Sequence, residues 1–326
     1  MGSPTVSAVI LAHDRRGFLA DAVASARAAG ADEIVVVRNF SDPISGLEGP
    51  IRDLRCDLPE TGAKHAVGVS AATGDLVAFL DDDDLWEPSK VARLRAVWPA
   101  TPGLVYLNHT QRPIDAQGRP GTAHHPELAG REPGRFPSWD RSDFPDLADR
   151  IWPGNGSSTV VRRDWALSWL PSLREVGWSA DTFWLVAAVL DGRPMAILDE
   201  PLTRLRLHDL NMSHARSVTP EEFRARHRQQ SERFARAFEG LARLAATRVG
   251  PDASIARYLT ERAVGFRFFA DLESGTHPRR SAAHAIARGG AGRDPGAART
   301  AWVALGSPAL ARRLLYRSHR RRWGLT

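Results

Sequence analysis

Four aspartates stand in a row in AFLDDDDLWEP, residues 78–88, between an apolar run and an aromatic residue. Carboxylates this close repel one another, and ionised they are not buried without partners. Two readings follow. Asp81–Asp84 form either a solvated acidic turn or an oxygen-rich site whose anions are held together by a cation, most simply a divalent metal. Two other acidic signatures do not fit. An EF-hand needs a glycine and a later glutamate at fixed spacing, and both are missing. An aspartyl phosphatase places its Asp-x-Asp near the N-terminus with Gly-Thr after it, whereas Leu85 and Trp86 follow here.

The elements that must carry this run are legible around it. Val6–Leu11 reads as a short buried strand. Residues 17–29 have Leu19, Val23 and Ala26 at helical spacing, and Gly30 stops that helix. The unbroken apolar run Ile34–Val37 predicts a strand covered on both faces, as in a parallel sheet. A helix over 64–73 ending at Gly74, a strand Leu76–Leu80 and a helix Pro88–Trp98 complete the alternation of a doubly wound α/β domain. In such sheets ligands bind beyond the carboxyl ends of the strands, which is where the aspartates fall.

Residues 110–155, rich in Pro, Gly, Asp and Arg, read as long loops. Ser157–Arg162 reads as a strand, Ala180–Leu190 as a helix and Met195–Leu207 as two strands about Pro201. Thr219-Pro220-Glu221-Glu222 is a strong helix start, with a cap, Pro at the first position and Glu at the third. The helix runs to about Val249, and helical stretches follow near 252–273, 278–288, 296–305 and 308–322. Three parts are expected: 1–110, 111–215 and a helical region 216–326.

Composition sets outer bounds. The chain has 326 residues, 43% apolar and 25% charged, enough for one large domain or two ordinary ones. A single cysteine, Cys56, excludes an intrachain disulfide and CxxC metal sites. No apolar stretch reaches bilayer-spanning length, and VSAVIL lacks a preceding basic segment. These are the features of a soluble cytosolic protein, with peripheral contact at a membrane surface left open. Charge is uneven: residues 1–215 hold 22 basic against 29 acidic side chains, and residues 216–326 hold 22 against 9. Such asymmetry suggests parts with different partners. Only Lys64 and Lys90 are lysines, so part of the arginine excess reflects a compositional bias toward Arg and Ala.

The run VSAVILAHDRRGFLADAVAS, then EIVVVRNFSD, then VGVSAATGDLVAFLDDDDLWEPSK, resembles the nucleotide-binding half of family 2 glycosyltransferases with the GT-A fold. SSTVVRR, SADTFWLVAAVLDG and LTRLRLHDLNMS resemble their acceptor half, in the right order, so the resemblance spans about 5–215. It implies a Rossmann-like, mostly parallel sheet and inverting transfer from a nucleotide-sugar donor with Mn²⁺ or Mg²⁺. Asp81-Asp82-Asp83 matches the Asp-x-Asp motif, with Asp83 coordinating the metal and Asp81 and Asp82 nearer the nucleotide. Asp84 and Trp86 are expected to cap and anchor the following helix. Ala12 and His13, ending the first strand, and Asn39, Lys64 and His65 would line the nucleotide site. Asp181 aligns with the aspartate of a Glu-Asp pair that acts as general base on the acceptor; Ala180 replaces the glutamate. On spacing alone, Asp181 is a helix-start charge favoured by the dipole. His208 matches a histidine that completes the metal site or contacts the diphosphate, against the plain reading of a structural histidine.

This chain departs from the family pattern at several places. Arg38-Asn39-Phe40-Ser41 stands where Asp-Asp-Gly-Ser is usual, and Asn39 can accept a uracil N3–H only without charge assistance. His65-Ala66 replaces the usual Arg-Asn. UDP, dTDP and GDP sugars all stay open, as does the acceptor: a glycan, a lipid-linked glycan, a peptide or a small natural product. Two rivals share the fold. A sugar nucleotidyltransferase would need a Gly-rich loop after the first strand, where HDRRGF has one glycine. A non-catalytic binding or scaffold protein is kept alive by Asn39, Ala66 and Ala180.

Six of ten tryptophans fall between 139 and 184: Trp139, Trp152, Trp165, Trp169, Trp178 and Trp184. One or two are expected in the acceptor cleft, although Trp165 and Trp169 share a helix face. In residues 308–322, Leu310, Leu314 and Leu315 share one side of a helix with Tyr316 at its edge, and Arg312, Arg313, Arg317, Arg320, Arg321 and Arg322 supply six positive charges within eleven residues. Such a helix packs on the acidic half of the protein or lies on an anionic membrane. Nucleic acid is not expected, since no recognition module accompanies the charge.

Overall fold

The computed structural model describes residues 2–13, 17–42, 44, 49–121, 134–136, 156–208, 211, 217, 219–275, 283, 286 and 295–322. The chain divides into two compact units, Met1–Leu207 and His208–Thr326. The first is built on one sheet whose strands are β1 (Val6–Ala12), β2 (Glu33–Arg38), β3 (Arg52–Arg55), β4 (Leu76–Asp81), β5 (Leu85–Trp86), β6 (Tyr106–Ile114), β7 (Gly134–Phe136), β8 (Thr159–Arg162) and β9 (Met195–Arg206). Their order is β3-β2-β1-β4-β8-β6-β9-β5, with β7 also on β9. The first four are parallel. Strand β8 runs against both β4 and β6, and β6 lies parallel to β9.

Every residue of β1 is buried, as expected of a strand covered on both faces. One face carries α1 (Leu19–Ala28) and α3 (Lys90–Val97), whose Leu19, Val23, Val91 and Leu94 share a core with Ile10, Val36 and Leu80. The other face carries α2 (Thr61–Ala71), which comes so near β1 that a Cβ on Gly68 would overlap Val9 Cγ1. Two further helices, α4 (Arg163–Val176) and α5 (Ala180–Asp191), follow β8. Helix α2 also closes on the end of α4: the Gly62 N–H donates to Gly177 O at 2.7 Å, and a Cβ there would lie 2.7 Å from that oxygen. Glycine at 62 and 68 is what this approach requires.

The GT-A-type α/β architecture agrees with expectation, on a sheet that is mixed, with four parallel and four antiparallel pairings among the described residues; some details differ. The expected loop beginning at 110 starts instead as strand, because β6 runs to Ile114. Its polar residues hid it: Asn108, His109 and Gln111 are buried, and Asn108 Nδ2 donates to Thr159 Oγ1 at 3.3 Å. Most of 110–155 lies outside the described residues. Strand β3, RDLR, was invisible because it is a short edge strand with no buried residue. Met195–Leu207 is one strand rather than two, but its register on β6 slips between Leu198 and Thr203, the stretch that holds Pro201.

The second unit is helical, as expected. Helix α6 (Pro220–Val249) begins with the predicted box: Thr219 Oγ1 accepts from the Glu222 N–H at 3.2 Å, and the Glu222 carboxylate accepts from the Thr219 N–H at 3.3 Å. A short link through Gly250 (φ 96°) turns the chain into α7 (Ser254–Ser274), where Phe266 meets Phe234 and Phe238 at ring distances of 4.9 and 5.2 Å. The helices α8 (Pro295–Gly306) and α9 (Pro308–Arg322) follow. Residues 278–288 lie outside the described residues except Ala283 and Ile286, which are helical.

Candidate active site

Strands β1, β2 and β4 end side by side, and their last residues bring the expected positions together. At the end of β1, the Lys64 ammonium donates to Ala12 O at 3.2 Å and lies 2.6 Å from His13 Nδ1. The His13 N–H donates to Asp82 Oδ2 at 2.9 Å, and the Asp82 N–H to Leu11 O at 3.2 Å. Ala12, His13, Lys64 and Asp82 thus form one hydrogen-bonded seam between β1, β4 and α2. Asp82 is fully buried, its carboxylate turned to the end of β1.

Its neighbours do something different. Asp81, Asp83 and Asp84 each offer a carboxylate oxygen such that all three lie within 4.8 Å of one another. Asp83 and Asp84 are buried and Asp81 is half-buried. The turn is pinned from outside: the Asp81 N–H donates to Ser157 Oγ at 2.9 Å, and the Asp84 N–H to Asp81 O at 3.2 Å. Asp84 Oδ1 accepts from the Arg206 N–H at 2.9 Å. Burial above all, then the charges of Asp83 and Asp81, hold the Asp84 carboxyl well above the usual carboxylate range. Three crowded carboxylates in a low dielectric call for a cation or a shared proton.

Asp84 does not cap the following helix, contrary to expectation; α3 starts at Lys90 with Ser89 before it, and Asp84 instead closes the acidic cluster against β9. Trp86 does anchor the segment, fully buried, with its Nε1–H toward Phe79 O at 3.4 Å.

Two basic residues that sequence reasoning passed over support the cluster. Lys90 is fully buried, donates to Ser157 O at 2.8 Å and Thr203 Oγ1 at 3.3 Å, and lies 4.4 Å from the centre of the Trp86 ring. Burial pushes its ammonium well below the usual lysine range, with Asp84 pulling the other way. Arg206, on β9, is buried too. Its Nε donates to Asp83 O and its Nη1 to Ala116 O, both at 2.8 Å, while its guanidinium lies 4.6 Å from the Phe18 ring centre. It reaches Asp21 Oδ2 at 3.3 Å. Arg206 therefore fixes the backbone that aims Asp83. The only sequence signal for it was its place in RLRLH, just ahead of His208.

Asn39 follows β2 directly, half-buried. Its neighbour Arg38 is committed elsewhere, to both oxygens of Asp53 at 2.7 Å and to Phe40 O. His65 lies beneath the seam in the core. Trp184 Nε1–H donates to its Nδ1 at 3.2 Å, its ring centre is 4.1 Å from that of Phe79, and burial pushes its pKa down to about 3. Gly156 lies between His65 and the cluster: a Cβ there would be 3.9 Å from His65 Nε2 and 3.7 Å from Asp81 Oδ1.

Asp181 is half-buried in the first turn of α5, one turn before Trp184. The residue capping that helix, Ser179, has φ 53°, the one left-handed non-glycine residue among those described. Its buried Oγ has no hydrogen-bond partner among the described residues. Backbone held this way is costly and persists where surrounding structure enforces it. Trp165, Trp169 and Trp184 belong to the core, with Trp184 5.9 Å from Trp165 and 5.2 Å from Phe183. Trp178 is half-buried, and Trp139 and Trp152 fall outside the described residues. His208 opens the second unit, where its N–H donates to Asn211 Oδ1 at 2.6 Å.

Comparison with known proteins agrees with this architecture. Residues 7–159 match the model of glycosyl transferase family 2. Over 116 residues the chain is 29% identical to an uncharacterized glycosyltransferase of Nostoc sp., alr2836, a match covering 32% of this chain and 36% of that protein. The crystal structure of S. aureus TarS 1-349 superposes with a TM-score of 0.51 at 13% identity, covering 97% of this chain and 91% of that one. The same protein in complex with UDP-GlcNAc gives 0.51, over 97% and 92%. Strand order and the structural likeness show a GT-A-type fold, and over residues 7–159 the chain is similar to glycosyl transferase family 2.

Proposed function

We propose that this protein transfers a sugar from a nucleotide-sugar donor to an acceptor nucleophile with inversion, using a divalent cation. The observation that carries the reading is the acidic cluster at the end of β4, three carboxylates within 4.8 Å in the stretch similar to family 2. Asp81, Asp83 and Asp84 offer the hard oxygen donors that Mn²⁺ or Mg²⁺ takes, gathered within reach of a single ion. When bound, the ion would screen the diphosphate and stabilise it as a leaving group.

The chain's own residues supply the rest. The β1 end, with His13 and Lys64, presents cationic and hydrogen-bonding groups to the nucleotide, and Asn39 its amide to the base. Asp82 holds His13 in place through the 2.9 Å bond from its N–H. Asp181 takes the acceptor proton as the new bond forms, the role inversion requires of one carboxylate. Helix α5 holds it through Trp184, tied to His65. TarS is described with UDP-GlcNAc, which makes a UDP-sugar the first donor to try.

The test is release of nucleoside diphosphate from UDP-, dTDP- and GDP-sugars with Mn²⁺ present. Turnover of one donor, abolished by EDTA, is expected. Tight donor binding without hydrolysis or transfer to any acceptor would instead mark a binding protein of the same fold.

A further inference from the structure

Sequence gives the last helix one apolar side, but the structure divides it. Leu315 packs on a cluster of Phe268, Leu272, Ala301, Ala304 and Ala311. The Tyr316 ring lies 5.7 Å from that of Phe223, and Arg312 Nη1 donates to Leu272 O at 3.0 Å. That side of α9 is used inside the helical unit. Leu310, in the first turn, is 47% exposed, and Trp302 on α8 is 55% exposed. They flank a tight corner. Ser307 alone joins the helices, its N–H donating to Val303 O at 2.8 Å, its carbonyl accepting from Ala311 at 3.1 Å and its Oγ from Leu310 at 3.3 Å. Arg299, Arg313 and Arg317 are exposed on the same two helices. From Thr276 to Thr326 there are eleven arginines and one acid, Asp294.

We propose that this corner docks the protein on an anionic lipid bilayer. Trp302 and Leu310 enter the interface, and the exposed arginines meet headgroup phosphates. Tryptophan favours that boundary because its ring is apolar and its N–H is not. Charge decides between occupants. A second copy would set arginine against arginine, and a nucleic acid would engage the arginines while leaving Leu310 in water. No helix among the described residues is long and apolar enough to cross a membrane, so the contact is peripheral. All these residues belong to the helical unit, so the inference stands or falls separately from the transfer chemistry.

The experiment is cosedimentation of the full chain at low salt with phosphatidylcholine vesicles, with and without phosphatidylglycerol, alongside donor hydrolysis on the same samples. Binding to the anionic vesicles alone is expected, falling as salt rises. Trp302→Ser with Leu310→Ser should weaken it about tenfold. Arg313→Gln and Arg317→Gln should each weaken it about fivefold. All these variants should keep the wild-type melting temperature and donor hydrolysis. The proposal is overturned by absence of vesicle binding, by undiminished binding of the double serine variant, by RNA binding without vesicle binding, or by a dimer that the serine substitutions dissolve.

Discussion

Acidification should destabilise the first unit through His65, by an amount the structure sets. The imidazole is buried between Phe79 and Trp184, and its Nδ1 accepts the indole N–H, so the neutral ring carries its proton on Nε2. A second proton would leave two donors facing each other in a low dielectric. Burial accordingly pushes the folded-state pKa from 6.5 to about 3. Between those values the unfolded chain binds a proton that the native state refuses, so stability falls as pH falls. The contribution is fully present above about pH 6.5 and declines by about 1.4 kcal/mol per pH unit below it, about 2 kcal/mol by pH 5. His65→Gln keeps an acceptor for Trp184 and cannot titrate. Urea unfolding of both proteins at pH 7 and pH 5 isolates the effect as a difference, removing opposing contributions such as the raised Asp84 carboxyl. Wild type should lose about 2 kcal/mol more than His65→Gln between the two conditions. Parallel losses would refute the argument that a buried neutral imidazole supports the helix carrying Asp181.

Three further outcomes follow. Arg206→Met strips charged donors from the buried Asp83 carbonyl and the part-buried Ala116 carbonyl, at about 1.5–3 kcal/mol each, while its contact with exposed Asp21 adds little. Urea denaturation should show a loss of about 3–5 kcal/mol, with weaker Mn²⁺ binding and only partial rescue by Arg206→Lys; a loss below about 1 kcal/mol would contradict this role. Asp181→Asn should lower kcat by roughly 10²–10⁴-fold with donor affinity unchanged, and a collapse of donor affinity would move Asp181 into the nucleotide site. Gly62→Ala forces a Cβ against Gly177 O and should cost roughly 1–3 kcal/mol, so an unchanged melting temperature would show that α2 and α4 separate freely.

The site was legible where chemistry and chain order coincide. Asp81–Asp84 announce themselves because they follow an apolar strand, and His13 and Lys64 fall at the neighbouring strand and helix ends. What surrounds them was not legible, because sheet pairing delivers it from afar. Ser157 reaches the Asp81 N–H across 76 positions, and Arg206 reaches Asp83 across 123. No local period encodes either contact. Asp84 looked like a cap because acids before helices usually are; register with β9 gave it another partner. Strand β6 escaped notice for a related reason, since its buried Asn108, His109 and Gln111 break the apolar pattern that marks an interior strand.

The central claim is that the acidic strand end holds a cation together with a nucleoside diphosphate. Calorimetric titration of UDP, dTDP and GDP into the protein, with Mn²⁺ and with EDTA, tests it most directly. One diphosphate should bind markedly tighter with Mn²⁺, and Asp83→Asn should lose that gain while unfolding at its usual urea concentration. Equal affinity in Mn²⁺ and EDTA, or undiminished coupling in Asp83→Asn, would contradict it.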